Sequence, residues 1–218
     1  MNFHYSAAHL IGALVLLLGF QLLYQRRIAA VIRSFAVQAA ALALAAAWQA
    51  YIQDSPHLYI TAAIALVFKA MIVPFALNWL VVRLGIHKTV ETALGIGPTM
   101  MIGVALVALS IVLVLPVTQN ASALTRENLA LAMSVVLLGL LMMITRRNAV
   151  SQVVGFMALE NGLILAAVGV KGMPLVVEMS IAFSVLVAMI LFGIFFYRIR
   201  ERFDSLDLHY LESFRGER

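Results

Sequence analysis

The sequence predicts an all-α integral membrane protein with seven transmembrane helices, its N-terminus outside and its C-terminus cytoplasmic. Three observations carry that expectation. The 218 residues are 64% hydrophobic and 11% charged, with a formal net charge of +5, whereas a soluble domain is roughly half apolar and a quarter charged. Apolar runs of about 20 residues recur between short polar breaks, and a helix of about that length crosses the hydrocarbon core. Basic residues gather at alternate boundaries: Arg26, Arg27, Arg33, Arg83, Lys88, Arg146, Arg147, Arg198, Arg200 and Arg202 at one set, only Arg126 and Lys171 at the other. The positive-inside rule puts the first set in the cytoplasm.

The elements follow in order. The first span covers Ala8 to Tyr24 and stops at Gln25-Arg26-Arg27. His4 and His9 stand at its start, with no Lys or Arg leader region and no small-residue cleavage pattern, so it reads as a retained helix rather than a signal peptide. The second covers Ser34 to Ile52, is rich in alanine, and ends with Trp48 and Tyr51, residues suited to an interface. Asp54-Ser55-Pro56-His57 is a tight polar turn. The third runs from Leu58 to Val82 and contains Lys69 and Pro74. A polar loop from Arg83 to Glu91 and the hinge Gly95-Ile96-Gly97-Pro98 lead to the fourth, Thr99 to Pro116. Thr118 to Asn128 carries turn and cap residues, and the fifth span is Leu129 to Thr145. The sixth, Ala149 to Val170, and the seventh, Pro174 to Tyr197, flank the break Lys171-Gly172-Met173. A charged cytoplasmic tail occupies 201–218.

Composition excludes several classes of function. Zero cysteines rule out disulfides, thiolate metal sites and ordinary iron–sulfur clusters. The five histidines lie at ends or in loops without ligand spacing, so no metal and no cofactor is expected. The positive charge is that of span flanks, so nucleic acid is not an expected partner; the lipid bilayer is. No obvious internal repeat pairs the proline-broken third span with a counterpart, which weighs against a self-contained inverted-repeat transporter.

What remains is buried charge. Lys69 sits near the middle of its span, where a charge costs roughly 2.5–3.5 kcal/mol on the insertion scale. Pro74, five residues on, has no N–H, so the Ala70 carbonyl loses its helical donor. Glu160 is similarly central in the sixth span, followed by Asn161. On the same helix Ser151, Gly155, Ala158, Gly162 and Ala166 form a small-residue stripe of the kind that packs closely in lipid. At ~100° per residue Glu160 lies roughly opposite that stripe, so this helix is expected between neighbours on both sides. A buried acid that holds and releases a proton is what a relay needs. The same acid, protonated, also serves as glue between helices, and a buried lysine also serves assembly. Glu178, one turn after Pro174, either joins a relay or complements the helix N-terminus. Ser180 and Ser184 give the seventh helix a mildly polar face; Gln38, Gln49 and Asn78 fit interhelical hydrogen bonding.

The motifs GFMALENG (Gly155 to Gly162), KGMPLVVE (Lys171 to Glu178), FKAMIVP (Phe68 to Pro74) and the tail SLDLHYL (Ser205 to Leu211) together resemble the hydrogenase-4 component E family, across essentially the whole chain. The last three spans are similar to the K subunit of respiratory complex I and its antiporter relatives. That divides the chain into a five-helix part (1–145) and a two-helix segment (146–200), which completes a K-like three-helix unit with 129–145. The resemblance implies a non-catalytic membrane-arm subunit of a formate-hydrogenlyase-like or hydrogenase-4-like complex in a bacterial or archaeal inner membrane. Its implied partners are antiporter-like and quinone-reductase-like membrane subunits and a peripheral iron–sulfur, hydrogenase-like arm. It places a proton relay on Glu160, Lys69 and Glu178, with Asn161 and Ser184 in support. One departure stands out. Ala182 to Val187 reads AFSVLV where the family commonly carries an Asp, so Ser184 replaces an acid; a hydroxyl passes a proton on but does not store one. Two other readings stay open: a nickel-free hydrogenase-related or cation/proton antiporter assembly, and a purely structural scaffold.

Overall fold

A computed structural model describes residues 2–83, 92–118 and 123–169. Within them the chain is helical: α1 (Asn2–Tyr24), α2 (Ile28–Gln53), α3 (Pro56–Ile64), a π-helical segment (Ala65–Ile72), α4 (Val73–Arg83), α5 (Ile96–Val117), α6 (Ala123–Thr145) and α7 (Ala149–Val168). The segment α3–π–α4 is one continuous span, so the described residues hold six helices long and apolar enough to cross a membrane. This is a multi-pass membrane protein. The expected seventh span, with Glu178 and Ser184, and the tail lie outside the described residues.

The boundaries follow local chemistry. α2 ends where Asp54 takes the left-handed conformation, φ 51°, and its N–H reaches the Ala50 carbonyl. Aspartate tolerates that region better than most residues. Pro56 then opens α3 at a first-turn position, where its missing N–H is harmless. Asn148 caps α7 by accepting from the Val150 and Ser151 amides at 2.9 and 3.4 Å, as N-cap side chains do. Two helices run longer than the hydropathy pattern alone marks: α1 starts at Asn2 and α2 at Ile28, because Asn2 and His4 in the one and Arg33 in the other interrupt the apolar run without breaking the helix.

The third span departs from expectation in its middle. Instead of an α-helix with one freed carbonyl at Ala70, residues Ala65–Ile72 wind as a π-helix, and the Val73 N–H bonds back five residues to Phe68. In that register the donor missing at Pro74 faces the carbonyl of Lys69 itself. The helix is thus widened at its charged residue.

α2 and α6 organise the packing. α2 lies against α1, the third span and α7; α6 lies against α7, α5 and α1. Alanines of α2, among them Ala39, Ala45 and Ala46, are buried and let neighbours approach closely. Ala45 and Ala46 join Val15, Leu42 and Val135 in the apolar core. α6 and α7 touch backbone to backbone. A Cβ on Gly139 would lie 2.4 Å from the Leu159 nitrogen, and one on Gly162 would lie 2.7 Å from the Val136 nitrogen. The small-residue stripe of α7 therefore faces α6, as its spacing predicts.

Both ends of the bundle are pinned. At one, the Trp48 indole donates to the His4 carbonyl at 3.1 Å, with the His4 and Tyr51 rings alongside. At the other, Arg146, 2% exposed, donates to the Leu22 and Leu23 carbonyls at 3.2 and 2.6 Å. Those are among the last four carbonyls of α1, which have no partner within the helix. Burial pulls the Arg146 guanidinium below its ordinary value, yet an arginine stays protonated in proteins, so this charge is held against carbonyl dipoles. A short antiparallel bridge between Thr92 and Arg146 fastens the start of the α5 segment to the same corner.

Candidate functional site

Lys69 and Glu160, 91 positions apart in sequence, meet inside the bundle. Lys69 Nζ lies 3.1 Å from Glu160 Oε2, and both side chains are almost fully buried. The same ammonium donates to Asn161 Oδ1 at 3.0 Å. Asn161 Nδ2 donates to Gln38 Oε1 at 3.4 Å, and Gln38 Nε2 donates to the Val15 carbonyl at 3.3 Å. One polar series therefore links α7, the π segment, α2 and α1 through an otherwise apolar core.

Each member is positioned by its helix. α7 presents its glycine stripe to α6, which turns Glu160 and Asn161 toward the third span and α2. The π segment carries Lys69 inward, leaving Leu66, Val67, Phe68, Met71 and Ile72 exposed on its outer side. α2 supplies Gln38 from a run in which no other polar residue occurs between Ser34 and Trp48. π-helical insertions of this kind are rare and are frequently found at functional sites.

The arrangement explains how the membrane tolerates these charges. Burying an isolated ion costs several kcal/mol even after relaxation, and a buried pair survives only with good geometry and further hydrogen bonds. Here the opposite charge is at contact distance and a side-chain amide oxygen takes a second ammonium proton. A single proton hop across 3.1 Å converts ammonium–carboxylate into amine–acid. The pair thus has two charge distributions of equal net charge, and a proton arriving at Glu160 from elsewhere releases Lys69 from its partner.

Of the residues singled out in the sequence, the structure brings Lys69, Glu160 and Asn161 together. Gln38 belongs to the same series and was assigned only generic hydrogen bonding. Its position as a lone amide in an alanine-rich span was the available signal. Gln49 takes a different course, accepting from Gln53 at 3.2 Å while Gln53 also donates to the Val168 carbonyl at 2.9 Å. Ser110 and Ser134 share a 2.5 Å hydrogen bond between α5 and α6, apart from the charged series.

Comparison with known proteins agrees with the motif resemblance. No family model matches the chain, and no solved structure matches it. An uncharacterised protein of Mycobacterium tuberculosis is 30% identical over 97% of this chain and 94% of its own length. Hydrogenase-4 component E of Escherichia coli is 29% identical over 73% of this chain and 74% of its own, and that of Shigella flexneri matches to the same extent. Over about three quarters of its length, then, the chain is similar to hydrogenase-4 component E.

Proposed function

We propose that this chain is a non-catalytic membrane-arm subunit of a complex-I-like redox complex of the hydrogenase-4 or formate-hydrogenlyase type, and that its Lys69–Glu160 pair takes part in proton translocation. The observation that carries this reading is the buried pair itself, at mid-span, beside a π-helical widening. The chain's own residues hold and hand over protons; electron transfer belongs to partner subunits. Glu178 and Ser184 extend the path on the strength of the family motif, and residues 129–200 form the K-like unit of the arm. Partners are antiporter-like and quinone-reductase-like membrane subunits with an iron–sulfur-bearing peripheral arm, in a bacterial or archaeal inner membrane. The N-terminus lies outside in this reading, so single cysteines at Ser55 and Thr118 should label in intact cells with an impermeant thiol reagent and one at Ser205 should not; labelling at Ser205 would overturn the topology.

The test is neutralisation without loss of shape. Glu160→Gln keeps an acceptor for the Lys69 ammonium but removes the titratable proton; Lys69→Met removes the opposite charge. The Glu160→Gln complex should assemble, keep its redox activity with an artificial acceptor, and lose coupled proton movement in sealed membrane vesicles; Lys69→Met, which leaves the Glu160 carboxylate without its counter-charge, should assemble in lower yield and lose proton movement in what does assemble. Full assembly with unchanged proton movement in both would assign the pair to scaffolding, a reading that the pair's close complementarity also accommodates.

A further inference from the structure

The polar series that ends on Lys69 has a fixed direction. An ammonium only donates, and a backbone carbonyl only accepts. With Lys69 at one end and the Val15 carbonyl at the other, both amides between them have one satisfactory orientation. Asn161 turns its oxygen to Lys69 and its nitrogen to Gln38; Gln38 turns its oxygen to Asn161 and its nitrogen to Val15. Flipping either amide sets donor against donor or acceptor against acceptor, and both side chains are fully buried, where an unpaired polar atom is expensive.

We infer that Gln38 is a positioning residue for Lys69, acting through Asn161, and that this arm of the site is a brace which does not conduct protons. The inference rests on the reading of Lys69–Glu160 as a relay step. An amide neither stores nor readily passes a proton, and the series stops at a carbonyl inside α1. Protons therefore reach the pair by another side. What the brace supplies is geometry. Lys69 is a flexible side chain on a π-helical backbone, and Glu160 alone is one anchor. Asn161 Oδ1 is a second, 3.0 Å away, and it stays aimed at the ammonium only while Gln38 occupies Asn161 Nδ2. Val15 in turn fixes Gln38, so α1, which contributes no titratable group to the pair, sets where the ammonium rests.

Four variants test this in the intact complex: Gln38→Met, of similar size without donor or acceptor; Gln38→His, whose neutral ring keeps one of each; Asn161→Leu; and the Gln38→Met/Asn161→Leu double. Glu160→Gln and Lys69→Met are the controls. Proton uptake per electron pair is measured in sealed vesicles, beside assembly on native gels and artificial-acceptor activity. Gln38→Met should lower proton uptake about tenfold, the loss of one hydrogen bond supporting a charge, with assembly and artificial-acceptor activity retained. Gln38→His should recover to within about threefold of the parent. The double variant should be no worse than Asn161→Leu alone, because the two act in series. If Gln38→Met does not assemble, Gln38→Asn, which draws the amide back by one methylene, takes its place. Parental proton uptake in Gln38→Met while both controls lose theirs would overturn the brace and leave the relay standing. An additive double variant would show that Gln38 acts by some route other than Asn161. Parental uptake in both controls would bring down the relay reading and the brace with it.

Discussion

α5 and α7 are both apolar helices of about the same length, and they are used in opposite ways. Of the 22 residues of α5, the buried ones are Thr99, Gly103 and Ser110; most of the rest are exposed, from Met101 to Val117. Its buried residues are all small or polar and its bulky ones face outward, the reverse of a soluble helix, because the surroundings of a membrane helix are as apolar as its core. α7 is buried on both faces, with 13 of its 20 residues inside. One face is smooth and glycine-lined against α6; the other carries Glu160 and Asn161. The lesson is that hydrophobicity alone does not rank membrane helices by importance. α5 needs particular residues only at its few buried positions, whereas α7 needs them at set offsets along both faces.

The largest effect that would break this contrast is expected at Glu160. Glu160→Ala strips the carboxylate and strands the Lys69 ammonium, which should destabilise the assembled subunit by about 3–5 kcal/mol. Native-gel yield should collapse, and adding Lys69→Met should recover part of it. Glu160→Gln, which still accepts a hydrogen bond, should not collapse; equal loss in both variants would mean that shape rather than charge holds the site.

Next is the close approach of α6 to α7. Gly139→Ala drives a methyl group into the Leu159 backbone, which cannot rotate away, and should cost up to about 3 kcal/mol. The same change at Gly103 on α5 meets the ends of the Phe20 and Leu138 side chains at 3.0 and 3.2 Å. Those can yield, so about 1 kcal/mol or less is expected. Thermal melting of the detergent-solubilised complex compares the two, and a Gly103→Ala loss as large as that of Gly139→Ala would remove the distinction between backbone and side-chain contact.

The smallest effect has the opposite sign. A Cβ on Gly97, in the first turn of α5, meets nothing within 4 Å. Gly97→Ala should therefore raise stability by about 0.4–1 kcal/mol through the entropy of the unfolded chain, seen as a slightly higher melting temperature. A clear loss would reveal a neighbour at this end of α5.

The sequence by itself determined the class of protein, six of the spans, and the residues that could not be indifferent. Apolar runs and intramembrane charges are local features, and the cost of a charge in hydrocarbon depends on depth, which residue count measures. The α7 stripe was legible for the same reason, since helical periodicity alone puts Gly155 and Gly162 on one face. Only the tertiary structure decided which charge pairs with which, because Lys69 and Glu160 lie on helices whose order in the chain says nothing of their adjacency. It alone revealed the π-helical widening at Ala65–Ile72, since Pro74 announces a disturbed ladder but not which carbonyl it leaves. It alone drew Gln38 into the site. An amide in a span has many ways to be satisfied, and which one it takes is fixed by what stands across from it.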